Sequence, residues 1–157
     1  MILRKEKRMM LKIYLAGDIA KEDRWRPKVM KALEGLPVEW LSPIDQIDYG
    51  YYRLKKEHEE NKVFLFADYM KIDRADIVFA YLRRCDSRHS GTSAEIGYAR
   101  AKGKFIIYIN DMPKTEAYLY EFVQRTADIA FTKLRDGIEF LKDFVAEMNY
   151  LPEMSNR

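Results

Sequence analysis

Asp76-Ile77-Val78-Phe79-Ala80-Tyr81-Leu82 is the stretch that decides the fold. One carboxylate is followed by six apolar or aromatic side chains, with none of the polar alternation of a strand that has one wet face. Such a run reads as a strand covered on both faces, the environment of a parallel sheet interior. Downstream, the small residues Ser90-Gly91-Thr92-Ser93-Ala94 lead into a helix expected over residues 92–102 and stopped by Gly103. A second apolar strand is expected at 105–109.

The same alternation extends in both directions. Upstream, residues 12–16 form an apolar run cut off by Gly17-Asp18. A helix over 22–33 follows, its Trp25, Val29, Met30 and Leu33 at helical spacing and its end marked by Gly35 and Pro37; residues 38–41 then make a short strand. After a tyrosine-rich loop at 49–52, a helix is expected from about 63 to 72. Beyond the central unit come a helix over 115–125, a strand over 129–132 and a helix over 136–148. Strand and helix thus alternate five times. With right-handed crossovers this predicts an α/β fold, a flavodoxin-like three-layer sandwich with a five-stranded parallel sheet. Ligands of such sheets bind beyond the carboxyl ends of the strands where strand order reverses, here after the first and third strands.

The bulk composition agrees with one domain. The 157 residues are 48% hydrophobic and 34% charged, with a formal net charge of +3. Residues 1–10 read as a basic arm, 11–150 as a single domain and 151–157 as a tail. No apolar run reaches the roughly 20 residues that cross a bilayer, and the dispersed charge argues against a nucleic-acid groove. The single cysteine, Cys85, offers neither an internal disulfide nor metal-ligand spacing, which fits a reducing, cytoplasmic setting with no metal.

Two carboxylates stand out. Glu95 follows a cluster of small residues at a helix start, where free backbone N–H groups favour anions. Thr92-x-x-Glu95 also reads as a capping box, each side chain satisfying the other's backbone donor. Asp68 interrupts the apolar run Phe64-Leu65-Phe66-Ala67-Asp68-Tyr69-Met70: on an exposed face it is an ordinary surface group, and buried it holds a proton near neutral pH. Arg83, Arg84, Arg88 and His89 crowd the loop after the third strand, either as a solvated loop or as a phosphate contact. Cys85 and His89 lack the third group of a nucleophile and base arrangement, and His58 reads as surface. Asp73 and Asp76 read as residues that end a helix and begin a strand.

Three blocks carry a family resemblance: Lys12-Ile13-Tyr14-Leu15-Ala16-Gly17; Asp68 with the later Ala75-Asp76-Ile77-Val78; and Gly91-Thr92-Ser93-Ala94-Glu95-Ile96-Gly97-Tyr98-Ala99. In this order they resemble the nucleoside 2-deoxyribosyltransferases and their relatives that hydrolyse deoxynucleoside 5′-monophosphates. The resemblance implies that Glu95 attacks C1′ of the sugar, Asp68 assists the leaving base and Tyr14 orients the nucleophile. Gly17, Arg88, His89, Ser90 and Gly91 would line the substrate. It further implies a homo-oligomer acting on small deoxynucleosides or deoxynucleotides and nucleobases, without a cofactor. One departure is chemical. Six residues before Glu95, where the transferases carry a substrate-binding acid, this chain has His89, a possible phosphate donor. The Gly17-Asp18 turn in turn lacks the glycine-rich, arginine-containing loop of the hydrolases. Base transfer is therefore the first expectation, nucleotide hydrolysis the second, and a non-catalytic nucleotide sensor the third.

Overall fold

The computed structural model describes residues 10–18, 24–43, 62–83 and 89–149. The basic arm up to residue 9, the loop at 49–52, His58, Cys85, Arg84, Arg88 and the tail from 150 lie outside the described residues. The elements follow in the order β1 (Leu11–Gly17), α1 (Trp25–Ala32), β2 (Val38–Leu41), α2 (Lys62–Arg74), β3 (Ile77–Arg83), α3 (Ser90–Ala101) and β4 (Phe105–Asp111). Then come α4 (Lys114–Ala117), a 3-10 turn (Tyr118–Tyr120), α5 (Glu121–Gln124), β5 (Ile129–Phe131) and α6 (Leu134–Met148).

The five strands form one sheet in the order β2-β1-β3-β4-β5, and every neighbouring pair is parallel. This is the flavodoxin-like order, with its reversal between β1 and β3. The period of two along each strand divides the core into two layers. On one face Ile13, Leu15, Ile77, Phe79, Ile107 and Ile109 pack against Trp25 and Val29 of α1 and Leu141 and Val145 of α6. On the other, Tyr14, Ala16, Val78, Ala80, Ile106 and Tyr108 meet Ile72 and Ala75 at the end of α2 and Ile96 and Ala99 of α3. The apolar runs at β3 and β4 are thus buried on both sides, as their lack of alternation requires.

Several bounds shift by a residue or two, as with α6, which starts at Leu134 rather than 136, and two elements differ with a cause in the structure. Helix α3 starts at Ser90, two residues earlier than expected, because His89 takes a left-handed conformation (φ 51°) and turns the chain into the helix there. The helix expected over 115–125 is broken into two four-residue helices around a 3-10 turn. No residue of these three pieces is buried, so no packed face holds a continuous helix together. Asn110 at the end of β4 also intervenes: its side-chain amide donates to the Ala117 carbonyl and to Gln124 Oε1.

Helix α6 approaches the sheet most closely at Gly137. A Cβ there would stand 2.7 Å from Ile109 Cγ1 and 2.9 Å from Cδ1, and Ile109 is itself fully buried. Overpacking of this kind costs roughly 1–3 kcal/mol. Gly137→Val is therefore expected to lower the thermal midpoint by several degrees in a calorimetric scan; an unchanged midpoint would show that α6 can shift freely.

Candidate active site

Three polar side chains from three elements meet on the α2–α3 face of the sheet. Tyr14, on β1, is fully buried because its position in the strand alternation points it under α3. Its hydroxyl donates a 3.0 Å hydrogen bond to Glu95 Oε1. Glu95 is only 7% exposed and Asp68 only 9%, and the two carboxyl groups are near enough for the charge of Asp68 to act on Glu95.

The position of Glu95 decides between its two sequence interpretations. With Ser90 as the first helical residue, Glu95 sits in the second turn rather than the first, and the residue before the helix, His89, makes no side-chain capping bond. The Thr92–Glu95 capping box is not formed, and the Glu95 carboxylate is engaged with Tyr14 and Asp68. Asp68 likewise is no surface group. On α2 the apolar neighbours Leu65, Phe66 and Met70 are 41%, 67% and 52% exposed, while the carboxylate points inward. Asp68 Oδ1 is buried with no hydrogen-bond partner among the described residues.

Burying two carboxyl groups side by side raises the affinity of the pair for protons. Desolvation first, and the Asp68 charge second, push Glu95 up to about 8; the Tyr14 hydrogen bond and the Arg26 guanidinium oppose the rise. Asp68 is also raised, by burial, against the pull of Lys71. The Tyr14 hydroxyl is held well above the ordinary tyrosine range by burial and by both carboxyl groups. Both carboxyl groups are thus biased toward their protonated forms, and a pair that keeps one proton is one in which one carboxyl can act as nucleophile and its neighbour as acid.

The other described site residues lie at the carboxyl ends of β1 and β3. Gly17 is required by packing, since a Cβ would stand 2.7 Å from Trp25 Cζ2 and 3.0 Å from the Tyr81 carbonyl. Asp18 meets Arg83 in an ion pair at 3.4 Å across the reversal point. His89 is 3% exposed; its Nε2 donates at 2.7 Å to the Arg83 carbonyl, and its ring stands edge-on to Tyr120. It thereby fastens the end of β3 to the start of α3. Ser90 and Gly91 are exposed at that helix start, and Arg88 lies outside the described residues. Sequence analysis missed Arg26 and Lys71, whose charges act on the pair from α1 and α2. The signal for Arg26 was its place beside Trp25 and three residues before Val29, on the buried side of α1. Among the described residues no group of three His, Cys, Asp or Glu side chains could hold a metal ion, and no helix is long and apolar enough to cross a membrane.

The raised proton affinity of Glu95 carries a stability cost of known sign. Its carboxyl binds a proton up to about pH 8 in the folded chain but only up to about 4.5 when unfolded. The folded state is therefore penalised increasingly as pH rises from 4.5 to 8, and the penalty is constant above. Glu95→Gln keeps an oxygen for Tyr14 and removes the titration. It is expected to be more stable than the parent at pH 9, by on the order of a few kcal/mol, with the difference vanishing near pH 4. Denaturant titrations at the two pH values check this, and a stability difference independent of pH would contradict it.

A family model described as nucleoside 2-deoxyribosyltransferase matches residues 13–143. Among curated protein sequences no relative is matched. Of the solved structures, the 2-deoxyribosyltransferase of Bacillus psychrosaccharolyticus superimposes with a TM-score of 0.58 at 22% sequence identity, over 80% of this chain and 88% of that one. The CMP N-glycosidase BcmB of Clostridium botulinum does so with a TM-score of 0.51 at 20% identity, over 83% of this chain and 97% of its own. At such identities the two structures speak for the fold, and the match along residues 13–143 speaks for the family. The chain belongs to the nucleoside 2-deoxyribosyltransferase family, whose members transfer or hydrolyse N-glycosyl groups.

Proposed function

We propose that the protein is a nucleoside 2-deoxyribosyltransferase that moves 2-deoxyribose between nucleobases through a covalent ester on Glu95. The observation that carries this is the buried Tyr14–Glu95–Asp68 cluster, its Tyr14 hydroxyl bonded to Glu95 and its Asp68 Oδ1 unpartnered among the described residues. In the first half-reaction a Glu95 carboxylate oxygen forms a bond to C1′ while the C1′–N bond breaks and its electron pair stays on the base. The pair's proton, held on Glu95 in the free protein, shifts to Asp68 as the carboxylate attacks and from there passes to that base. In the second, a nitrogen of the incoming base attacks C1′, the ester bond breaks to restore the Glu95 carboxylate, and Asp68 takes the proton back.

The mutual influence of the two buried carboxyl groups supports two displacements over one, since direct displacement by water needs acid and base roughly 6.5–9.5 Å apart to admit the nucleophile between them. Tyr14 supports the role of Glu95 by holding Oε1, which leaves the second oxygen to face the sugar. The Asp18–Arg83 ion pair favours an uncharged nucleoside over a 5′-phosphate. It compensates an arginine at the strand ends and puts a carboxylate in the first loop, where a phosphate would need donors. The alternative, hydrolysis of a deoxynucleoside 5′-monophosphate, has the opposite requirement. We further propose a homo-oligomer: Leu65, Phe66 and Met70 leave an apolar strip on α2 next to Asp68, and Tyr118, Leu119 and Phe122 are 67%, 60% and 83% exposed. Light scattering is expected to give a multiple of the chain mass, and activity to fall on dilution; a fully active monomer contradicts this.

The deciding assay supplies a deoxynucleoside with a second, labelled free base. Exchanged nucleoside is the expected product. Free deoxyribose, or activity confined to 5′-monophosphates with release of sugar phosphate, would replace transfer by hydrolysis. Glu95→Ala is expected to lose about 10³-fold or more in rate. Asp68→Asn should lose about 10² to 10⁴-fold, most with poor leaving bases. Full activity in either variant removes that residue from the chemistry.

A further inference from the structure

Arg26 is a charged side chain held entirely inside the protein, only 2% exposed, and nothing in the transfer chemistry uses it directly. Its placement follows from a defect in the sheet. The backbone amide of Leu11 donates to Pro37 on the β2 side of β1, so by the period of two Ile13, Leu15 and Gly17 present their polar groups to the same side. Strand β2, however, ends at Leu41, opposite Tyr14. Beyond that point the Leu15 and Gly17 carbonyls meet no further strand among the described residues. The Arg26 guanidinium takes its place: Nε and Nη2 each donate to the Leu15 carbonyl at 3.3 Å, Nη2 to the Gly17 carbonyl at 3.1 Å and Nη1 to the Asp18 carbonyl at 3.1 Å. The planar cation also lies 4.4 Å from the Trp25 ring centroid.

We propose that Arg26 is the positioning residue of this active site: its guanidinium substitutes for the missing rungs of β2, shapes the Gly17–Asp18 turn that receives substrate, and sets a fixed positive charge behind the Tyr14–Glu95–Asp68 cluster. The inference rests on the proposed role of Glu95 for its functional meaning but not for its geometry. A planar fork with several N–H groups on one side suits adjacent carbonyls in a way a lysine ammonium cannot match. The charge matters because the groups facing the carboxyl pair come from four elements: Tyr14 from β1, Asp68 and Lys71 from α2, Glu95 from α3 and Arg26 from α1. Of these, Arg26 draws down the proton affinity of all three of Tyr14, Asp68 and Glu95.

The test is a carbon-13 NMR titration of the Glu95 side-chain carboxyl in the full-length protein, its resonance assigned by its loss in Glu95→Gln. It needs no turnover. A chain that fails to exchange bases yet shows the expected shift refutes the proposed reaction and keeps this inference. Arg26→Gln, which retains donors but no charge, is expected to raise the Glu95 midpoint by roughly 0.5–1 pH unit, and Arg26→Lys to leave it close to the parent value. In the base-exchange assay Arg26→Lys should raise KM several-fold with kcat at its optimum little changed, because the turn loses its fork while the charge remains. A folded Arg26→Gln variant with an unmoved midpoint would reduce Arg26 to a structural brace. If that variant does not fold, the lysine variant decides: an unchanged KM, or a midpoint shifted as far as 0.5 unit, overturns the proposal.

Discussion

Everything at the site follows from the contact between two carboxyl groups that the fold keeps out of water. Glu95 reaches inward from the second turn of α3 and Asp68 from the middle of α2, and they meet over the fully buried Tyr14. Two negative charges so close in a low-dielectric setting cannot both persist near neutral pH. The pair favours keeping a proton, which is the state the proposed reaction requires of a nucleophile and its neighbouring acid. The tyrosine hydroxyl adds direction, fixing one oxygen of Glu95.

The sheet supplies what such an arrangement costs in stability. The buried apolar side chains among the described residues form two layers, one on each face, and the α2–α3 layer carries the polar cluster. The opposite layer, with Trp25, Phe79, Leu141 and Val145, is an uninterrupted packed core. It anchors β1 and β3 while their other face accommodates unfavourable burial. Strain and compensation also meet at the carboxyl ends of these strands. His89 adopts a left-handed backbone to start α3 and ties itself to the Arg83 carbonyl, and Arg83 in turn pairs with Asp18 across the point where strand order reverses.

Much of this was legible in the residues. The unalternating run at 76–82 gave away a doubly covered central strand, and Val38–Leu41 falls where the run before Ser42-Pro43 placed it. Less legible features depended on tertiary contacts. The capping-box spacing of Thr92 and Glu95 suggested a local use for the glutamate, and only the conformation of His89 moves the helix start so that Glu95 points at Tyr14. The apolar run around Asp68 left open whether it was a surface group or a buried one; Leu65, Phe66 and Met70 face outward and Asp68 inward, which only the packing of α2 decides. The break at 118–120 reflects an aromatic segment with no sheet beneath it. Arg26 was hidden because a basic residue on a helix is expected in solvent, whereas here β2 stops short and leaves carbonyls for it to satisfy.

The account stands or falls on whether Glu95 takes the sugar. Mass spectrometry of the protein after incubation with a 2-fluorinated 2-deoxynucleoside, whose ester intermediate breaks down slowly, tests this directly. The account predicts a mass increase of one fluorodeoxyribosyl group, mapped by peptide fragmentation to Glu95 and discharged when a free base is added. Base release with no adduct, or an adduct on another residue, would contradict it.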